Sequence, residues 1–195
     1  WNWKCVQDNF NESYHLPFVH PQTVATMNEH HTGCQFDLYP SGHCRMLMPG
    51  GGPGPHFRGS ADKTFKGLQQ TFDFWEFDPE PFRNDLPGLR VALQERKREL
   101  SDSKGYDFSQ YSDEQLTDHY HYTVFPNISF SMKPDGCIFL MAYPHPENPK
   151  KCFKIPRKTS PKTFPKCAKN PSQTSPKLPQ NRRKLFFQGS CRGNV

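Results

Sequence analysis

With 195 residues the chain has room for one domain with a buried core, and two full domains would not fit. Its net charge of +6 is unevenly spread: residues 1–149 carry 12 Lys and Arg against 19 Asp and Glu, or −7, whereas residues 150–195 carry 13 Lys and Arg and no acid. The basic excess therefore belongs to the tail alone, which excludes a nucleic-acid-binding reading based on overall charge.

Apolar and aromatic residues at Trp3, Val6, Phe10 and Tyr14 recur at near-helical spacing, predicting a helix over roughly residues 4–15 that ends before Pro17. "GCQFDLY" and "CRMLMPG" flank "PSGH", the pattern of two short strands joined by a turn at Gly42. Pro49 to Gly59, "PGGGPGPHFRG", reads as a loop, and it lacks the Gly-Lys-Ser/Thr ending of a phosphate-binding loop. The alternation in Thr71 to Phe77, "TFDFWEF", predicts a further strand. Leu89, Leu93 and Leu100 share one side of an amphipathic helix over 86–100. Ser112 and Gln115 form a capping box opening a short helix. "HYTVFPNISFSMK", the turn Pro134 to Gly136 and "CIFLMAY" then read as an antiparallel hairpin. Short strands, hairpins and segregated helices imply an α+β domain around a curved antiparallel sheet, ending near residue 149 where Pro144, Pro146 and Pro149 punctuate the chain.

Residues 150–195 are rich in Lys, Pro and Ser, with neither alternation nor an apolar stripe, so a disordered basic arm is expected. The abrupt loss of every acidic residue equally suits a segment read out of frame, and composition leaves both open. The seven cysteines have wide spacings and no C-x-x-C pair, so neither a disulfide framework nor a zinc ribbon is expected. No apolar run approaches 18 residues and no signal-peptide pattern is seen; a soluble, cytoplasmic protein without membrane contact is the expectation.

The chemistry concentrates in residues 8–21, "DNFNESYHLPFVHP". His15 and His20 would not share a face of a continuous helix, but a chain broken at Pro17 can bring His20 back. Two imidazoles with a carboxylate form the facial arrangement of non-haem Fe(II) oxygenases, and zinc hydrolases use similar ligands, so the pair alone does not choose the metal. Glu12, three residues before His15, is placed to order it. The bland alternative is a pair of helix-end histidines beside a solvated glutamate, and a loose H-x-x-x-x-H taken alone favours that alternative.

Asn2-Trp3-Lys4 followed by "DNFNESYHLPFVHP" closely resembles the start of the catalytic domain in α subunits of Rieske non-haem iron ring-hydroxylating oxygenases, and "VFPNISFSMKPDG" is similar to the family's Pro-Asn-centred strand and turn. The resemblance covers roughly residues 1–149. It implies that His15 and His20 ligate a mononuclear Fe(II), that Glu12 links the iron to the [2Fe-2S] Rieske cluster of a neighbouring subunit, and that Asn9 lies close to the iron. It implies a helix-grip fold around an apolar cavity and O2-dependent hydroxylation of an aromatic or other hydrophobic substrate in aromatic-compound catabolism. Electrons would come from a ferredoxin or reductase, and the assembly would be a homotrimer or an α/β hetero-oligomer.

Two departures limit it. The C-x-H and C-x-x-H pairs that hold the family's cluster do not occur; "GHC" at 42–44 has the order reversed. The family's third iron ligand is an Asp in a late acidic helix, and that context would fall in the acid-free tail. The chain thus reads as a partial catalytic domain, inactive alone. Asp113, Asp118 and Asp135 are poor substitutes, Asp135 because a Pro-Asp-Gly turn already uses it. The competing expectation is a non-catalytic helix-grip domain that encloses an apolar molecule, using some of the 17 Phe and 7 Tyr to line it.

Overall fold

The computed structural model describes residues 2–159, and the side chains of residues 2–152. Four helices and six strands form an α+β domain with an open antiparallel sheet. The chain begins with α1 (Trp3–Asn9) and the single-turn α2 (Leu16–Val19), followed by a 3₁₀ turn, Thr23–Ala25. Strands β1 (Gln35–Leu38) and β2 (Cys44–Met48) form the expected hairpin. Gly42 turns it with φ of 79°, a conformation a side chain would oppose.

Next come α3 (Ala61–Trp75) and α4 (Leu86–Lys104), then β3 (His119–Val124), β4 (Ile128–Lys133), β5 (Gly136–Pro144) and β6 (Cys152–Thr159). The sheet is a meander in sequence order from β1 to β6, every pair antiparallel. The long crossover between β2 and β3 carries α3 and α4, so the helices are segregated rather than interleaved with the strands.

Five expectations need correction. The first helix stops at Asn9 instead of residue 15, because the Asn-Phe-Asn-Glu-Ser run supplies turn formers. Pro17 does not end that helix; it sits in the first turn of α2, where a missing N–H costs nothing. Thr71 to Phe77 is not a strand but the end of α3 and its exit. Its aromatics mimic alternation, yet the buried set Phe65, Leu68, Phe72 and Trp75 follows helical spacing. The single hairpin after His119 is three strands, with turns at Phe125 to Asn127, where the Phe125–Pro126 bond is cis, and at Pro134 and Asp135.

The last correction concerns the tail. Strand β6 pairs with β5 from Pro144↔Cys152 to Cys137↔Thr159, so the sheet passes the expected boundary at residue 149. "CFKIPRKT" contains a proline and several basic residues, which suit the last strand of the sheet among the described residues, paired there on one edge only. The remainder of the expected basic arm, residues 160–195, lies outside the described residues.

Two clusters hold the helices. Phe65, Leu68 and Phe72 of α3 pack on Leu89 and Leu93 of α4, with Phe77, Phe82 and Leu86 around them. Trp75, Phe108 and Leu116 form the second, flanked by Phe74, Leu100 and Tyr106. Between α4 and the β4–β5 turn lies a buried polar node. Lys97 Nζ donates to Asp135 Oδ2 and to the Leu116 carbonyl, both at 2.7 Å, and Trp75 Nε1 donates to Asp135 Oδ2 at 2.9 Å. Burial alone would push the Asp135 carboxyl up, but the Lys97 charge and the two donors outweigh it and hold the group below the usual carboxylate range. The reciprocal capping box is present, Gln115 Oε1 accepting from Ser112 N at 2.8 Å and Ser112 Oγ from Gln115 N at 3.4 Å.

Candidate metal centre

Helix α1 starts because Asn2 caps it, its side chain accepting from Lys4 N at 2.9 Å. The helix and its exit are then tied down by three polar side chains, two of them to strand residues. Gln7 Oε1 accepts from Ser129 Oγ at 2.7 Å in a buried contact. Asn11 Oδ1 accepts from Thr123 Oγ1 and from Cys44 Sγ. Ser13, also buried, donates to the Glu29 carbonyl at 2.7 Å. Phe10 stacks on His121, ring centroids 5.3 Å apart and planes 11° from parallel. These bonds fix where the chain stands when it reaches residue 15. Gln7, Asn11 and Ser13 were not read from sequence as anchors, since a polar side chain that bonds across 16 to 122 positions carries no local signal.

His15 and His20 cap the two ends of α2. One turn of helix with Pro17 in its first turn separates them, and the two rings meet edge to face with centroids 5.5 Å apart and planes at 77°. The His20 N–H closes the turn on the Leu16 carbonyl at 2.9 Å. The two rings meet across one turn of α2 that contains Pro17, and not through a break at that residue.

Glu12 holds His15 twice. Its Oε2 accepts from the His15 backbone N–H at 3.1 Å, and its Oε1 faces His15 Nδ1 in a short hydrogen bond. Both side chains are mostly covered, His15 at 14% and Glu12 at 20% exposure, so solvent competes weakly for the bond. With Nδ1 engaged, Nε2 is the nitrogen His15 offers outward, the carboxylate–imidazole pairing common behind metal-bound histidines. His20 is exposed. Asn9 ends α1 and is also exposed, and its side chain makes no hydrogen bond to Glu12, His15 or His20.

Among the described residues, no group of three His, Cys, Asp or Glu stands in metal-holding geometry. The alternative carboxylates are all committed elsewhere. Asp135 belongs to the Lys97 node, Asp113 pairs with Arg98 at 2.7 Å, and buried Asp118 pairs with Arg90 at 3.0 Å and accepts from Gly50 N at 3.3 Å. Burial raises the Asp118 carboxyl against the pull of Arg90. The donor set therefore fits two positions of a facial iron site and supplies no third. It does not fit a Rieske cluster, whose Cys-His pairs the sequence lacks.

Beneath α1, alternation puts Met46 and Met48 of β2 beside His121 and His119 of β3, with Thr123, Ser129, Leu140 and Ala142 continuing across β3, β4 and β5. The imidazoles on this face are poor bases: burial lowers His121 to about 4 and drives His119 well below its ordinary value.

A carboxylate-backed histidine pair supplies two of the donors that mononuclear metal oxygenases use, and hydrolases use the same donor types. The ring hydroxylating alpha subunit (catalytic domain) family model matches residues 1–152, more than three quarters of the chain. The chain belongs to that family. Comparison with curated proteins and with solved structures gives no match. Among the described residues no helix is long and apolar enough to cross a membrane.

Proposed function

We propose that this domain takes part in O2-dependent hydroxylation of an aromatic or other hydrophobic substrate, as an oxidoreductase in the catabolism of aromatic compounds, with Fe(II) held by His15 and His20. The observation that carries the reading is the convergence of the two rings across α2, with Glu12 bonded to Nδ1 of His15. Family membership chooses hydroxylation over hydrolysis. Bound Fe(II) would supply the one-electron O2 chemistry that side chains lack.

The chain's own residues do the positioning. Glu12 keeps the proton of His15 on Nδ1, so that Nε2 presents a lone pair, and its second oxygen fixes the backbone at the start of α2. Pro17 stiffens the turn that sets the separation of the two rings. Gln7 and Asn11 tie the chain that leads to that turn to the sheet, and Ser13 ties it to the Glu29 carbonyl, so the rest of the fold fixes where the imidazoles stand. Met46, Met48, Leu140 and Ala142 are buried on the sheet face beside α1, and under this proposal they form the apolar part of the substrate cavity's wall. Under this proposal the open sheet is the helix-grip wall of the substrate cavity. The third ligand and the electrons come from outside the described residues. The electrons would pass from a ferredoxin or reductase through the [2Fe-2S] cluster of a neighbouring subunit in a trimer or α/β assembly, with Glu12 on the path. Asn9 is retained as a catalytic candidate, one that reaches the iron by a shift of the end of α1.

The test is anaerobic Fe(II) titration of the full chain. One Fe(II) per chain is expected, weakly bound for want of a third ligand, and His15→Ala and His20→Ala should each abolish it. Undiminished iron binding in both variants would overturn the proposal.

A further inference from the structure

A second group of imidazoles lies away from the His15 and His20 pair. The segment Asn28 to Cys34, "NEHHTGC", follows the Thr23–Ala25 turn, and the Gly-rich loop folds back over it. Backbone bonds knit the two together: Asn28 N to the Pro49 carbonyl at 2.7 Å, Gly51 N to the Thr26 carbonyl at 3.1 Å, and Gly54 N to the Val24 carbonyl at 2.7 Å. This brings His56 of the loop to Glu29, whose Oε1 accepts from His56 Nδ1 at 2.7 Å. The His30 ring lies between two others, its centroid 4.9 Å from that of His56 and 4.2 Å from that of His31. Three imidazoles are thus gathered over one carboxylate.

The carboxylate is the unusual member. Glu29 has only 1% of its side chain exposed, and its Oε2 is buried with no hydrogen-bond partner. An unsatisfied buried carboxylate oxygen is costly, and charge beside it offsets that cost. Room for it exists because residue 54 is glycine: a Cβ there would stand 2.1 Å from Oε2 and 2.8 Å from the Met27 carbonyl. The nitrogens are arranged in the same sense. Nδ1 of His56 is taken by Glu29, which leaves its Nε2 as a ligand atom, while Nδ1 of His30 meets Thr32 Oγ1 at 2.7 Å and accepts from Thr32 N at 3.3 Å, a contact the ring gives up when it turns to a metal.

From this geometry we infer that His30, His31 and His56 form a second site, for a divalent transition ion of the zinc type, with Glu29 as the carboxylate that orients His56 and balances the ion's charge. Imidazoles suit zinc and its neighbours, and three of them leave a position for water. The side chains of the described residues are not in metal-holding geometry; His31 and His56 are exposed, and the inference requires their rings to turn toward that of His30. The bound ion would pin the Gly-rich loop to the segment before β1.

The experiment is calorimetric Zn²⁺ titration of the full chain carrying His15→Ala and His20→Ala, which removes the first pair and separates this inference from the iron proposal. One Zn²⁺ site is expected there. Adding His30→Ala or His56→Ala should weaken it at least about tenfold, and Glu29→Gln, which keeps the shape and removes the charge, by about 10 to 100-fold. Zinc should also shift the side-chain nitrogen resonances of His30, His31 and His56. The inference is overturned if the background chain binds no zinc, or if His30→Ala and His56→Ala bind it as tightly as the background does.

Discussion

Replacing Glu12 by Ala removes two contacts at once, and the structure separates them. The bond from His15 N to Oε2 at 3.1 Å holds the start of α2, where losing such a cap costs about 1 kcal/mol of stability. The bond between Oε1 and His15 Nδ1 fixes the ring, and losing a carboxylate behind a metal-bound histidine weakens metal affinity about 10 to 100-fold, or roughly 1.4 to 2.7 kcal/mol. The pair is mostly covered, so the upper half of that range is expected rather than the near-zero value of an exposed pair. Glu12→Gln preserves an acceptor for one of the two donors and should fall between wild type and Glu12→Ala. The assay is anaerobic titration with Fe(II), or with Co(II) as a spectroscopic substitute, alongside urea unfolding. If Glu12→Ala loses stability while its metal affinity stays unchanged, Glu12 is only a cap and the orienting role is refuted.

Three further outcomes follow from the same structure. Lys97→Met leaves Asp135 buried beside Trp75 without its cation and should cost about 3 to 5 kcal/mol in urea unfolding, whereas Lys97→Met with Asp135→Asn should recover much of that loss; equal losses in the single and double variants would contradict the buried-pair account. His121, lowered to about 4 by burial, stays neutral in the folded state while the unfolded chain takes up its proton near pH 6.5. Stability should therefore be complete above that value and fall as the pH drops toward 4, by roughly 2 kcal/mol at pH 5. His121→Phe should flatten that part of the profile, and an unaltered slope would show the loss to arise elsewhere. Phe72→Ala, which empties the centre of the α3–α4 cluster, should cost about 3 to 5 kcal/mol, measured by thermal unfolding.

What the sequence made legible was what local pattern controls. The β1–β2 hairpin was visible because Gly42 sits between two alternating runs, α4 because its leucines recur at helical spacing, and the capping box because Ser112 and Gln115 are three apart. Reading α3 as a strand failed because aromatics are good strand formers, and only packing against Leu89 and Leu93 decides between the two. Strand β6 was missed because its ladder partner is supplied by β5, which no propensity of "CFKIPRKT" announces. At the site, Glu12 and His15 could be paired from sequence because they are three apart, and His15 and His20 stood out because the surrounding motif resembles the family's. Gln7, Asn11, Ser13 and the His30–His56 contact were not legible, since each joins segments that only the fold brings together.

The central claim is that His15 and His20 bind one and the same iron. Pulsed electron paramagnetic resonance on the nitric oxide adduct of the Fe(II)-loaded full chain resolves nitrogen couplings from directly bound imidazoles. Two such couplings are predicted, with the ¹⁵N shift expected when histidine is labelled, and His20→Ala should reduce them to one or abolish the adduct. A spectrum with no imidazole coupling, or one unchanged in both His15→Ala and His20→Ala, would contradict the claim.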